Sequence, residues 1–73
     1  MTRTLRDLMD LRGFNVATLA KKSGVSERQI RKMLAGEVES PRVANLVAIG
    51  KALRVETPDV RAGVAAHFAA ARE

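Results

Sequence analysis

The chain has 73 residues, with thirteen Lys and Arg against eight Asp and Glu, a net charge of +5, and no Cys. That length bounds it to one domain, residues 1–73, whose core is small enough that nearly every apolar face must be used. Without Cys, neither a disulfide nor a Cys-based zinc site can staple the fold. The only aromatic residues are Phe14 and Phe68, so the expected core is aliphatic packing between helices. The start, Met1-Thr2-Arg3-Thr4, leads directly into a charged amphipathic segment and does not read as a secretory leader. The longest mainly apolar stretch, Val43 to Gly50, is too short to cross a bilayer. A soluble, cytoplasmic protein with no membrane partner is expected.

Thr4 and Asp7 form a capping box that starts a first helix over about 5–12. Leu5, Leu8, Met9 and Leu11 mark its apolar side, and Gly13 ends it. Arg3, Arg6, Asp7, Asp10 and Arg12 read as a solvated mixed-charge surface, with Arg3 or Arg6 within reach of a phosphate as the sharper alternative. Asn15 is the N-cap of a second helix, and Phe14 with Leu19 makes a hydrophobic staple. Leu19, Ala20 and Ser23 give that helix a narrow inward face. Lys21 and Lys22 stand near its C-terminal end, where cations favour the dipole.

Gly24 permits a tight turn. Ser26 then caps a third helix over about 27–35, with Gln29 placed to close a capping box and Val25 with Ile30 to form a staple. Ile30, Met33 and Leu34 make its apolar stripe, while Glu27, Arg28, Arg31 and Lys32 point outward. Gly36 sits where a left-handed C-cap is wanted. Residues 16–35 hold five cations against Glu27 alone, so most of the excess charge lies on this pair of helices. Two helices joined by a short Gly-containing turn, the second studded with cations, form the pattern of a DNA-reading helix-turn-helix.

Ser40 reads as the cap of a fourth helix with Pro41 in its first position. Val43, Leu46, Val47, Ile49 and Leu53 supply its buried face, and Gly50 implies close packing against another helix. Thr57-Pro58-Asp59 starts the last helix by cap, first-turn Pro and acid. Val60, Val64, His67, Phe68 and Ala71 repeat at helical spacing. Val60, Val64 and Phe68 are read as closing the core, with Phe68 as its plug. The Ala-lined surface of this helix is read either as solvent-facing or as a contact between two copies. His67, with no Cys and no evident carboxylate partner, reads as packed or half-exposed rather than as a ligand or catalyst.

The run Leu19-Ala20, Gly24-Val25-Ser26, Ile30, Gly36-Glu37 and Pro41 resembles the Cro/repressor-type helix-turn-helix family, also called XRE-like or lambda-repressor-like. The likeness extends to Leu5–Gly13 and to Leu46-Val47, Lys51-Ala52-Leu53 and Val55, covering roughly residues 4–60. It implies an all-α, compact five-helix domain with the helix-turn-helix at helices 2 and 3. It also implies a phage or bacterial regulator of transcription working as a homodimer on DNA, with recognition helices about 34 Å apart. Arg42 matches a family position that contacts the DNA backbone. Two departures stand out. Val16 replaces the Gln that usually touches a phosphate, and Arg54 replaces a C-cap Gly, so the fourth helix is expected to end differently.

A helix in the major groove reads base edges with its N-terminal and outward residues. The expected base contacts are Arg28, Lys32, Glu27, Arg31 and, secondarily, Gln29. Arg28 ranks first because a guanidinium donates two hydrogen bonds to guanine O6 and N7. Lys32 and Arg31 suit either a base or a phosphate. Glu27 suits a cytosine amino group or, equally, the helix dipole and an i,i+4 pair with Arg31. Arg42, Ser26 and the backbone amides of Val16 and Ala17 are the expected phosphate contacts. Glu37 and Glu39 would repel phosphate and are expected to splay outward or to filter sequence. No cofactor, metal or small-molecule ligand is expected. The chain has no nucleophile–base pairing, metal spacing or Gly-rich phosphate loop, which argues against an enzyme. The reading is therefore a sequence-specific double-stranded DNA-binding repressor. The alternative is a helix-turn-helix protein-interaction module or antitoxin-type autoregulator with a protein partner.

Overall fold

The computed structural model describes residues 3–73. Met1 and Thr2, part of the stretch read for a leader, lie outside the described residues. Five helices follow in order: α1 (Leu5–Leu11), α2 (Val16–Ser23), α3 (Glu27–Leu34), α4 (Val43–Leu53) and α5 (Thr57–Ala70), with no strand among the described residues. The all-α reading and the five-helix architecture are thus met.

Local chemistry accounts for most of the helix ends. Thr4 and Asp7 close the capping box in both directions (3.1 and 3.0 Å). α1 and α3 both end in Schellman motifs with Gly13 (φ 68°) and Gly36 (φ 77°) in the left-handed position. In α1 the Gly13 and Phe14 amides donate back to Asp10 and Met9 carbonyls (both 3.0 Å). In α3 the Gly36 amide donates to Met33 O (3.2 Å) and Glu37 to Lys32 O (3.0 Å), so carbonyls that a helix end leaves orphaned are satisfied.

Twelve apolar side chains from all five helices and the α2–α3 turn form one core, with Leu5, Met9, Leu19, Ile30, Met33, Leu46, Ile49, Leu53, Val60 and Val64 wholly buried. Three residues expected there are not in it: Leu11 is 62% exposed, Val43 59% and Val47 36%. At about 100° per residue, Leu11 stands about 110° from the centre of the Leu5–Leu8–Met9 stripe, so burying it would expose the others. Val47 lies outside the Leu46–Ile49–Gly50–Leu53 stripe for the same reason, whereas Val43 is on that side of the helix but is its first residue, at the exposed end. Phe68 is half-buried rather than a plug and lies outside that core.

Two helix starts differ from expectation. α4 is capped by Arg42 rather than Ser40, with Arg42 extended (φ −67°, ψ 137°) and no side-chain cap bond. α5 is capped by Glu56 rather than Thr57, which places Pro58 second in the helix. In α4 the start moves by two residues and leaves Pro41 before the helix, and in α5 it moves by one. The first four amides of a helix lack partners in any case, so a Pro near the start does not set the register.

α4 does end in the family manner, despite lacking glycine. Arg54 adopts φ 57°, ψ 47°, and is the one left-handed residue other than glycine among those described. An L side chain there costs on the order of 1–2 kcal/mol, part of which glycine would return as unfolded-state entropy. Arg54→Gly is expected to stabilise the domain by about 0.5–1 kcal/mol. A thermal melt at or below that of the parent would contradict this.

Glycines in α4 and α5 permit close helix approach. A Cβ on Gly50 would stand 2.8 Å from Val55 O, and one on Gly63 2.9 Å from Leu5 N. The approach at Gly63 sets α5 against the start of α1, where His67 Nε2 accepts the Arg6 amide (3.1 Å). That bond satisfies a second-position amide of α1 from another helix and requires a neutral ring. Arg12, read as a surface charge, instead donates from Nε to Leu53 O (2.8 Å), fastening α1 to the last turn of α4.

Burial, and then the Arg6 charge, hold the His67 pKa below its ordinary 6.5, with Asp7 opposing. Because folding lowers this pKa, the unfolded chain takes up the proton first. The associated stability is complete above about pH 6.5 and is lost as the pH falls through the folded value. The Asp7 carboxyl, held below 3.8 chiefly by its Thr4 bonds, titrates outside that window. Wild-type melting temperature is expected to drop more between pH 7 and pH 5 than that of His67→Gln, whose side chain does not titrate. Equal drops would contradict the role given to the ring.

Candidate nucleic-acid interface

α2 and α3 pack on one another across Gly24, whose left-handed conformation (φ 78°) turns the chain. Asn15 Oδ1 accepts from the Thr18 amide (2.8 Å) and the Thr18 hydroxyl (2.9 Å). The Val16 and Ala17 amides have no acceptor among the described residues and stand at the positive end of α2. The Val16 side chain packs against the core. The residue standing where the family has Gln is therefore an inward anchor.

Ser26 caps α3 by accepting from the Gln29 amide (3.1 Å), and the buried Val25 and Ile30 fix its entry. The return bond from the Gln29 side chain, expected as the second half of a capping box, is not formed. Gln29 instead helps line a polar groove with Gly24, Val25, Ser26, Arg42 and Asn45. The groove brings together the N-termini of α3 and α4, a guanidinium, a hydroxyl and two side-chain amides. Converging helix N-termini with a cation suit a phosphate by charge and by donor supply.

The buried side of α3 is Ile30 and Met33, while Glu27, Arg28 and Arg31 are exposed and Lys32 is half-buried. Arg31 Nη2 donates to Glu27 Oε1 (2.8 Å), the i,i+4 pair foreseen as the structural role of Glu27. Both partners are largely exposed, so the pair is worth only about 0.3–0.5 kcal/mol and leaves either free to be drawn elsewhere. Arg28 and Lys32 lie four residues apart on the neighbouring line of the helix. Neither side chain has a hydrogen bond or ion pair among the described residues. Ala17, Thr18, Lys21 and Lys22 line a second surface groove along α2. Glu37 and Glu39 are exposed in the loop after α3.

Of the nine residues expected at the site, Ser26, Gln29 and Arg42 line one groove. Glu27, Arg28, Arg31 and Lys32 lie on α3, and Val16 with Ala17 forms the separate N-terminus of α2. Asn45 was not foreseen. Its signal in the sequence is a lone amide one turn after Arg42, in a helix whose other residues up to Gly50 are apolar.

A family model described as a Cro/C1-type HTH DNA-binding domain matches residues 4–60. No curated protein and no solved structure matches the chain. Among the described residues no helix is long and apolar enough to cross a membrane. The match covers well over half of the chain, and its helix-turn-helix falls on α2 and α3: the chain belongs to the Cro/C1-type helix-turn-helix DNA-binding domains.

Proposed function

We propose that residues 1–73 act as one sequence-reading domain, a small Cro-like repressor that inserts α3 into the major groove of double-stranded DNA. The observation that carries this reading is the exposed Arg28 on α3, without a hydrogen bond or ion pair among the described residues, together with a polar groove formed by two helix N-termini. Arg28 reads a guanine through two parallel donors, and Lys32 serves a base or a phosphate one turn on. Arg31 and Glu27 enter only by opening their mutual pair. Gln29 is the secondary base contact. Arg42, Ser26 and Asn45 hold one phosphate in the groove, and the Val16 and Ala17 amides hold another at the start of α2. One domain reads too few base pairs to find an operator, so two copies bind a pseudo-palindrome with α3 helices one turn of DNA apart.

The test is selection from a randomised duplex pool at two salt concentrations. A recovered pseudo-palindrome supports the reading. Retention without a motif replaces it with nonspecific coating, and no retention at moderate salt replaces it with a protein-binding module. Arg42→Ala is expected to weaken binding to all duplexes by a similar factor and to reduce the salt slope by about one. A loss confined to one base position would contradict its assignment to phosphate.

A further inference from the structure

The second half of α5 lies beyond the family-matched residues 4–60, yet it is bonded to the end of α3. Arg72 Nη1 donates to Gly36 O (3.0 Å) and to Phe68 O (3.3 Å). The same guanidinium stands 3.5 Å over the centroid of the Phe68 ring. Gly36 is the left-handed residue of the turn that closes α3, and its α-carbon lies so near the His67 carbonyl and Ala71 Cβ that no side chain fits between. These contacts make one clasp. A planar cation stacks on an aromatic face, bridges two backbone carbonyls, and locks the helix that carries Arg28 and Lys32 to the C-terminal helix.

We propose that Arg72 is a positioning residue that fixes the C-terminal end of α3 and thereby the pose in which Arg28 and Lys32 meet base edges. This rests on the reading of α3 as the helix that enters DNA. The geometry explains why one contact matters. α3 has eight residues, hence a length of about 12 Å, so a pivot of about 10° about its middle moves each end by about 1 Å. That is enough to spoil a bidentate hydrogen bond, whose distance range is only a few tenths of an ångström. The Ser26 cap holds the start of α3 and the buried Ile30 and Met33 hold its body in the core; the Arg72 clasp holds the turn that closes it. A lysine at 72 keeps the charge but cannot stack as a plane and bridge both carbonyls.

The test compares full-length wild type, Arg72→Ala and Arg72→Lys by native-state hydrogen exchange and by binding to the selected and scrambled duplexes. In Arg72→Ala the Glu37 amide, bonded to Lys32 O, is expected to exchange about tenfold faster while the Leu19 amide in α2 is unchanged. Affinity for the selected duplex is expected to fall about fivefold or more, that for the scrambled duplex by less than about twofold, and Arg72→Lys to restore little. Equal losses on both duplexes, recovered by Lys, would show a cation acting at a distance and overturn the proposal. Unchanged Glu37 exchange, or parallel acceleration at Leu19, would overturn it as well. If wild type selects no duplex, the DNA-reading function fails separately, and the exchange at Glu37 still decides the clasp.

Discussion

Arg28→Ala is expected to weaken binding to the preferred duplex by roughly 5- to 140-fold, corresponding to about 1–3 kcal/mol, and to relax preference at one base pair per half-site. The size follows from what the side chain does in each state. In the free protein Arg28 is exposed and makes no hydrogen bond or ion pair among the described residues. Its removal therefore leaves no buried group unsatisfied, and the melting temperature should be unchanged. On DNA it provides two donors in fixed geometry to one guanine edge. Arg31→Ala should cost less, because that guanidinium is already bonded to Glu27 (2.8 Å) and must break the pair before it can serve DNA. The measurement is competition binding with single-base variants of the selected site. An Arg28→Ala loss equal on all variants would move Arg28 to the phosphate backbone.

Gly36→Ala is expected to destabilise the fold by about 3 kcal/mol, lowering the melting temperature by about 12–24 °C. Two costs add. The left-handed backbone at Gly36 (φ 77°) disfavours any L side chain. The new Cβ would also overlap the His67 carbonyl oxygen and come within 2.6 Å of Ala71 Cβ. The first obstacle is backbone and cannot rotate aside. Gly24→Ala provides the control, since its φ is also positive (78°) but nothing lies within 4 Å of the added atom. It should lose only the conformational part, about 1 kcal/mol. If the two variants melt together, the close approach of α5 to the end of α3 is not tight enough to matter.

These two expectations draw on different levels of the chain. The outward place of Arg28 follows from the spacing of Ile30 and Met33, which must face inward if α3 is to pack at all. The caps at Thr4, Asn15 and Ser26 and the left-handed glycines after α1, α2 and α3 were equally legible, because each is a bond or a backbone preference within a few residues. Legibility ended where two local solutions cost nearly the same. Around Ser40-Pro41 the helix can be capped two residues apart and around Thr57-Pro58 one residue apart, and Gln29 has the spacing to reach back to Ser26 or to face the groove. Arg54 shows the opposite failure. Its local preference is against a left-handed backbone, and the packing of α4 onto the α4–α5 loop overrides it.

The sequence by itself therefore determined the helix count, the inward stripes of α2 and α3 and most of those of α1, α4 and α5, the turn between α2 and α3, and the cationic face that marks the family. Only the tertiary structure decided that Asn45 joins Arg42 beside Ser26, that Arg12 and His67 serve as interhelical fasteners, and that α5 clasps the end of α3. Helical periodicity and capping depend on neighbours three or four positions away. A hydrogen bond between residues 6 and 67, or 36 and 72, forms only after the chain has closed a long loop, and it leaves no period in the sequence by which to read it.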